Sequence, residues 1–141
     1  MQILHIGGSD EPAPHEIVRL MVNLVFANDT QKLQQTGAGI NNYDPWCGTG
    51  GMLTTAKDYL QETINKNLDV WLYGHEINEK TYAIAKSDLL IKVEDAENIK
   101  KGNTITKDRL IGKTFNYMLT NPPFGDDWKN MREYVENEAE E

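Results

Sequence analysis

The chain has 141 residues, 39% hydrophobic and 26% charged, with a formal net charge of −8. That length suits a single domain with a buried core, and the excess of acid argues against a chain that grips nucleic acid unaided, because phosphate binding rests on lysine and arginine displacing counterions. No apolar run approaches the ~20 residues of a membrane span, the N-terminus MQILHIGGSD lacks the basic flank and apolar stretch of a signal peptide, and one cysteine excludes an internal disulfide, so a cytoplasmic setting with no membrane partner is expected.

Pro14 followed by HEIVRLMVNLVF predicts a long helix with a proline in its first turn and Ile17, Leu20, Met21, Leu24 and Val25 on its apolar face. Asp29 to Gly39 is polar and ends in glycine, which reads as a connection. Ile40 to Tyr43 predicts a short strand. A helix from about Gly51 carries Met52, Leu53, Ala56, Leu60 and Ile64 along one side, and Val70 to Glu76 returns as a strand, completing a βαβ unit. Asn78 fits a helix cap, and the helix to Ile91 places Tyr82, Ala85, Leu89 and Leu90 on one face. A short strand is expected near Asn98 to Lys101 and a clear one at Phe115 to Thr120. Trp128, Met131 and Val135 then mark one side of a final helix before the acidic tail ENEAEE.

Strands alternating with helices predict an α/β fold: a parallel, doubly wound sheet of about four strands behind an N-terminal helix, with ligands bound outside the carboxyl ends of the strands. Four strands in doubly wound order leave Phe115 to Thr120 as an exposed edge. A partner, a further segment or self-association is expected to cover it.

Two stretches sit at such strand ends. In DPWCGTGGML, Asp44 to Leu53, a strand ends at Asp44, glycines follow at positions 48, 50 and 51, and a helix begins. Glycine admits positive φ and removes the Cβ that would block a ligand, while the helix presents unpaired N–H groups to its oxygen atoms. Glu76, at the tip of the next strand, is placed to accept two hydrogen bonds from a ribose diol. Glycine clusters also close ordinary turns; the strand, the turn, the helix and the acid on the neighbouring strand together point to a nucleoside-bearing cofactor. No Gly-Lys-Ser/Thr follows, which disfavours ATP hydrolysis. Cys47 has no histidine near it in sequence and reads as a packing residue, and His5, His15 and His75 lack metal-ligand spacing, so no metal is expected.

In NPPFG, Asn121 to Gly125, Pro122 and Pro123 fix the backbone and hold the Asn121 side chain and the Pro122 carbonyl in one orientation. Two acceptors fixed together suit a planar amine such as that of adenine, with Phe124 stacked on the base. Asn-Pro-Pro is equally a plain strand-ending turn.

These motifs, in this order, resemble those of the modification subunit of type I restriction-modification systems, the N6-adenine DNA methyltransferases. The resemblance rests on DPWCGTGGML, on YGHEINEKTYAIAKSDLLIK and on GNT followed by GKTFNYMLTNPPFG, and it covers most of the chain. It implies a Rossmann-like S-adenosylmethionine-dependent methyltransferase core at 40–128, between an N-terminal helical segment and connection at 1–39 and a C-terminal helix and acidic tail at 129–141. It implies S-adenosyl-L-methionine as cofactor, with Asp44, Pro45, Gly48 and Gly50 at the methionine part, Glu76 at the ribose, Asn103 beside the adenine, and Pro14 closing the upstream stretch that begins at Asp10. Asn121, Pro122, Pro123 and Phe124 are then the catalytic set at a flipped target adenine. The implied partners are DNA and the specificity and restriction subunits.

The chain departs from the family pattern in several places. Asp10 to Pro14 reads Asp-Glu-Pro-Ala-Pro where Glu-Phe-Tyr-Thr-Pro is usual, Asn103 stands where aspartate is frequent, and Trp46 stands where a small residue is common. Family members continue well past NPPF, so the chain resembles a fragment. A non-catalytic cofactor-binding or assembly module remains an alternative reading, as does methylation of RNA or of protein glutamine.

Overall fold

The computed structural model describes residues 2–5 and 14–122. In chain order these form β1 (Gln2–His5), α1 (His15–Phe26), a 3-10 turn (Ala27–Asp29), α2 (Thr30–Leu33), β2 (Gly39–Asp44), α3 (Gly51–Thr63), β3 (Asp69–Glu76), α4 (Glu79–Ile91), a second 3-10 turn (Ala96–Asn98), β4 (Ile99–Lys101) and β5 (Tyr117–Thr120). All five strands run parallel in one sheet of order β1-β5-β2-β3-β4. The final helix expected around Trp128 lies outside the described residues. Among the described residues no helix is long and apolar enough to cross a membrane.

Side-chain alternation along the strands builds two layers. Ile40, Val70, Leu72, Ile99, Tyr117 and Leu119 face α1, α3 and α4 and form one core with residues such as Val22, Phe26, Leu53, Leu60 and Leu89. Tyr43 and Tyr73 point the other way and pack with Leu110, Phe115 and Met118, so the segment between β4 and β5 covers that face. Helix α4 starts where Asn78 predicts, its Oδ1 accepting from the N–H groups of Lys80 and Thr81 at 3.0 and 3.2 Å.

Three expectations are corrected. First, β5 is an interior strand, because β1 pairs with it in the register Gln2↔Tyr117 to His5↔Thr120. The sheet therefore has five described strands; a four-residue strand with a single alternation leaves too little pattern to be read locally. Second, α1 buries Val18, Met21, Val22, Val25 and Phe26, while Leu20 and Leu24 are 55% and 60% exposed. Residues 17, 20, 21, 24 and residues 18, 21, 22, 25 are both apolar at helical spacing, and packing against α3 and the sheet selects the second set. Third, the connection after α1 is not plain loop: α2 sits within it, anchored by buried Leu33.

Gly74, near the tip of β3, has no room for a side chain. A Cβ there would lie 2.8 Å from Cys47 Cβ and 2.9 Å from its Sγ. Cys47 is itself buried and tied down, its N–H donating to the His75 carbonyl at 2.9 Å. Gly74→Ala is expected to lower stability by about 1–3 kcal/mol through overpacking. A urea midpoint equal to that of the wild type would contradict the contact.

Candidate functional site

Because β2 pairs with β3 on one side and β5 on the other, all parallel, Asp44, Glu76 and Asn121 leave the sheet at the same end. The structure thus brings together the two stretches that the sequence separates by seventy residues. Pro14 caps α1, its carbonyl accepting from Ile17 and Val18 at 3.0 and 3.1 Å. The adjacent His15 ring meets the Thr55 hydroxyl of α3 at 3.4 Å, which puts the start of α1 beside the helix that follows the glycine turn. Pro123 and Phe124 lie outside the described residues, as does the stretch from Asp10 to Ala13.

The glycine turn is fastened from several directions. Trp46 N–H donates to Asp44 Oδ1 at 3.0 Å, Gly50 N–H to the Cys47 carbonyl at 2.8 Å, and the Thr104 hydroxyl to the Pro45 carbonyl at 2.7 Å. Gly48 and Gly50 have φ of 56° and 81°, in the left-handed region that favours glycine. A Cβ on Gly48 would meet nothing within 4 Å, so the space above the turn is open. Trp46 stands at this turn and is 37% exposed.

Asp44 is buried, and burial pushes its carboxyl up to about 7. The Trp46 N–H and the neighbouring Thr120 hydroxyl pull it down, and Glu76 pushes it up further. The Thr120 Oγ1 has no hydrogen bond of full geometry, so it lies beside the carboxyl without satisfying it. Among the described residues the buried Asn121 Oδ1 also lacks a partner, as do both amide atoms of Asn42, two residues before Asp44 on the same face of β2. The strand GINNYD shows Asn42 as a polar residue inside an apolar run, which was the one local signal for it. Nothing in the structure explains why its amide is unpaired. Cys47 is a packing residue as expected, its thiol raised well above its ordinary value by burial.

Glu76 is half-buried, and its Oε1 accepts from Asn78 N–H at 2.6 Å. Asn103 shapes the loop after β4, its Oδ1 accepting from Ile105 N–H at 2.8 Å and Thr106 N–H at 3.2 Å. That loop stands against the other face of the tips through His75 and Tyr43, neither of them among the sequence-predicted site residues. Among the described residues no group of three or more histidine, cysteine, aspartate or glutamate side chains is arranged to hold a metal.

Residues 12–140 match the N-6 DNA methylase family. Over 127 residues the chain is 32% identical to the type I restriction enzyme MjaVII methylase subunit of Methanocaldococcus jannaschii, an alignment covering 88% of this chain and 20% of that protein. The crystal structure of the methyltransferase subunit of a type I restriction-modification system from Streptococcus thermophilus superposes with a TM-score of 0.70 at 23% identity, over 89% of this chain and 26% of the other. A putative class I S-adenosylmethionine-dependent methyltransferase from Listeria monocytogenes gives a TM-score of 0.65 at 17% identity, over 88% of this chain and 35% of the other. The chain spans about a fifth of the length of the curated relatives it matches. The Rossmann-like sheet is therefore shared with methyltransferases, and, with all but the first residues and the last inside the family match, the chain belongs to the N-6 DNA methylase family.

Proposed function

We propose that this chain forms the cofactor and target-base site of an S-adenosylmethionine-dependent DNA adenine-N6 methyltransferase of the type I restriction-modification kind. The observation that carries the reading is the buried Oδ1 of Asn121, which has no partner among the described residues, one strand away from an open glycine turn. A buried acceptor without a donor costs about 1–3 kcal/mol, and an exocyclic amine supplies the missing donor.

S-adenosylmethionine, when bound, supplies an electrophilic methyl group on a sulfonium centre. The residues present fit it: Asp44 offers a carboxylate to its cationic methionine part, Gly48 and Gly50 leave the backbone bare, and Pro45 lies within the same turn. Glu76 can accept from a ribose diol while keeping its bond to Asn78, since each carboxylate oxygen has two lone pairs. Asn103 acts through the loop it shapes, and Pro14 through the placement of α1 beside α3.

Asn121 Oδ1 and the Pro122 carbonyl would take the two N–H bonds of adenine, drawing the nitrogen toward a geometry in which its lone pair is available. The same acceptors stabilise positive charge developing on that nitrogen. From the sequence, Pro123 would stiffen the turn and Phe124 would stack on the base. Holding amine and methyl donor in line supplies much of the rate. The target adenine is flipped from the duplex. The chain's charge of −8 leaves DNA binding to a specificity subunit, with a restriction subunit completing the assembly.

In the complete assembly, Asn121→Ala is expected to lower methyl transfer by about 100-fold or more, the scale for loss of a group that stabilises developing charge, with cofactor affinity kept. The assay uses labelled methyl and offers adenine DNA, RNA and protein. Label on RNA or protein alone, or transfer unchanged by the substitution, would refute the assignment.

Asp44 generates a second prediction. Its folded-state pKa stands above the unfolded value, so the stabilisation from its neutral form is full below about 4 and is lost as pH rises through about 7. Asp44→Asn keeps the acceptor for Trp46 and removes that loss, so the variant should be the more stable of the two at pH 8. A cationic cofactor favours the ionised carboxyl. Binding should therefore release close to one proton at pH 6 and almost none at pH 8, read by calorimetry in buffers of differing ionisation enthalpy. Equal proton release at both would remove Asp44 from the cofactor site.

A further inference from the structure

His75 is fully buried at the tip of β3, on the face opposite the helices, and both ring nitrogens are engaged. Arg109 N–H donates to Nε2 at 3.1 Å, so Nε2 carries no hydrogen and the proton of the neutral ring sits on Nδ1. Tyr43 Oη lies 3.0 Å from Nδ1 and accepts that proton's hydrogen bond. The Thr104 hydroxyl lies near the Tyr43 phenol and donates to the Pro45 carbonyl at 2.7 Å. Hydrogen bonds therefore join Tyr43 to His75 and His75 to the Arg109 amide, while Thr104 of the same loop is fastened to the turn after β2.

The groups facing the ring favour its neutral form. Burial holds the imidazole below its ordinary value, as do Arg109 and Lys100. Asp108, whose Oδ1 is 3.4 Å from Nε2, pulls the other way but is occupied by Leu110 N–H at 2.7 Å. Tyr43 is held by stacking on Phe115, with centroids 4.4 Å apart and planes 17° from parallel.

We propose that His75 is a positioning residue: its Nδ1–H imidazole latches the 102–113 loop onto the tips of β2 and β3, and so sets the position of the Pro45 turn. This rests on the reading of that turn as the cofactor site. It assigns to a residue given no role in the sequence reading the task of coupling loop closure to cofactor affinity.

The test uses the whole chain, labelled with 15N. The wild-type imidazole should show a protonated Nδ1 and a bare Nε2; the opposite tautomer overturns the latch without any variant. His75→Ala should speed hydrogen exchange of the Arg109 amide and its loop neighbours tenfold or more, leave α3 and α4 protected, and weaken S-adenosylhomocysteine binding about tenfold. His75→Gln, which keeps a donor and an acceptor, should restore most of the loop protection. Tyr43→Phe, which keeps the stack on Phe115, should give an intermediate loss and serves if His75→Ala does not fold. Unchanged protection at Arg109, or a uniform loss across the chain, overturns the proposal. Failure of the wild type to bind S-adenosylhomocysteine, with the loop behaving as described, overturns instead the cofactor reading on which the coupling depends.

Discussion

Strand β2 is hydrogen-bonded on one side to β3 and on the other to β5, and all three run the same way. In a parallel sheet each strand must be reached by a crossover, here made by α3 and then by α4 with the β4 segment, so every carboxyl end opens at one edge. The glycine turn, the acid of β3 and the amide after β5 are neighbours for that reason alone. With β1 seated on the outer side of β5, the strand that leads into Asn121 has a partner on each side.

At this edge the chain accepts electrostatic cost. Asp44 is buried with a carboxyl raised toward neutrality, and Thr120, Asn121 and Asn42 hold polar atoms without full partners. Such groups each oppose folding by about 1–3 kcal/mol. The apolar layer between the sheet and α1, α3 and α4 offsets them. Stability thus rests chiefly on the apolar strand middles, while most of the unsatisfied polar groups gather toward the strand ends.

The two faces of the sheet also divide the work. Helices cover one face. On the other, Phe115 stacks on Tyr43 and meets Tyr73 at a tilt, and the loop after β4 carries Thr104 to the Pro45 carbonyl. A loop held by aromatic stacking and a few buried hydrogen bonds can be adjusted without disturbing the helical core. That is why a histidine on this face can influence the turn on the far side of its strand.

Local pattern in the sequence was enough for the α/β alternation, the start of α4 at Asn78, and the placement of the glycine turn and of Asn121 at strand ends, because caps, glycines, prolines and apolar spacing act over a few residues. The family likewise was legible in three short motifs. Local pattern did not decide which of two apolar stripes α1 buries, since both have helical spacing and only the opposing surface of α3 and the sheet distinguishes them. Nor did it show that residues 2–5 complete the sheet, that Asn103 caps its own loop, or that His75 bonds both Tyr43 and that loop. Those features depend on contacts between segments tens of residues apart, whose energies exist only once the strands have come into register.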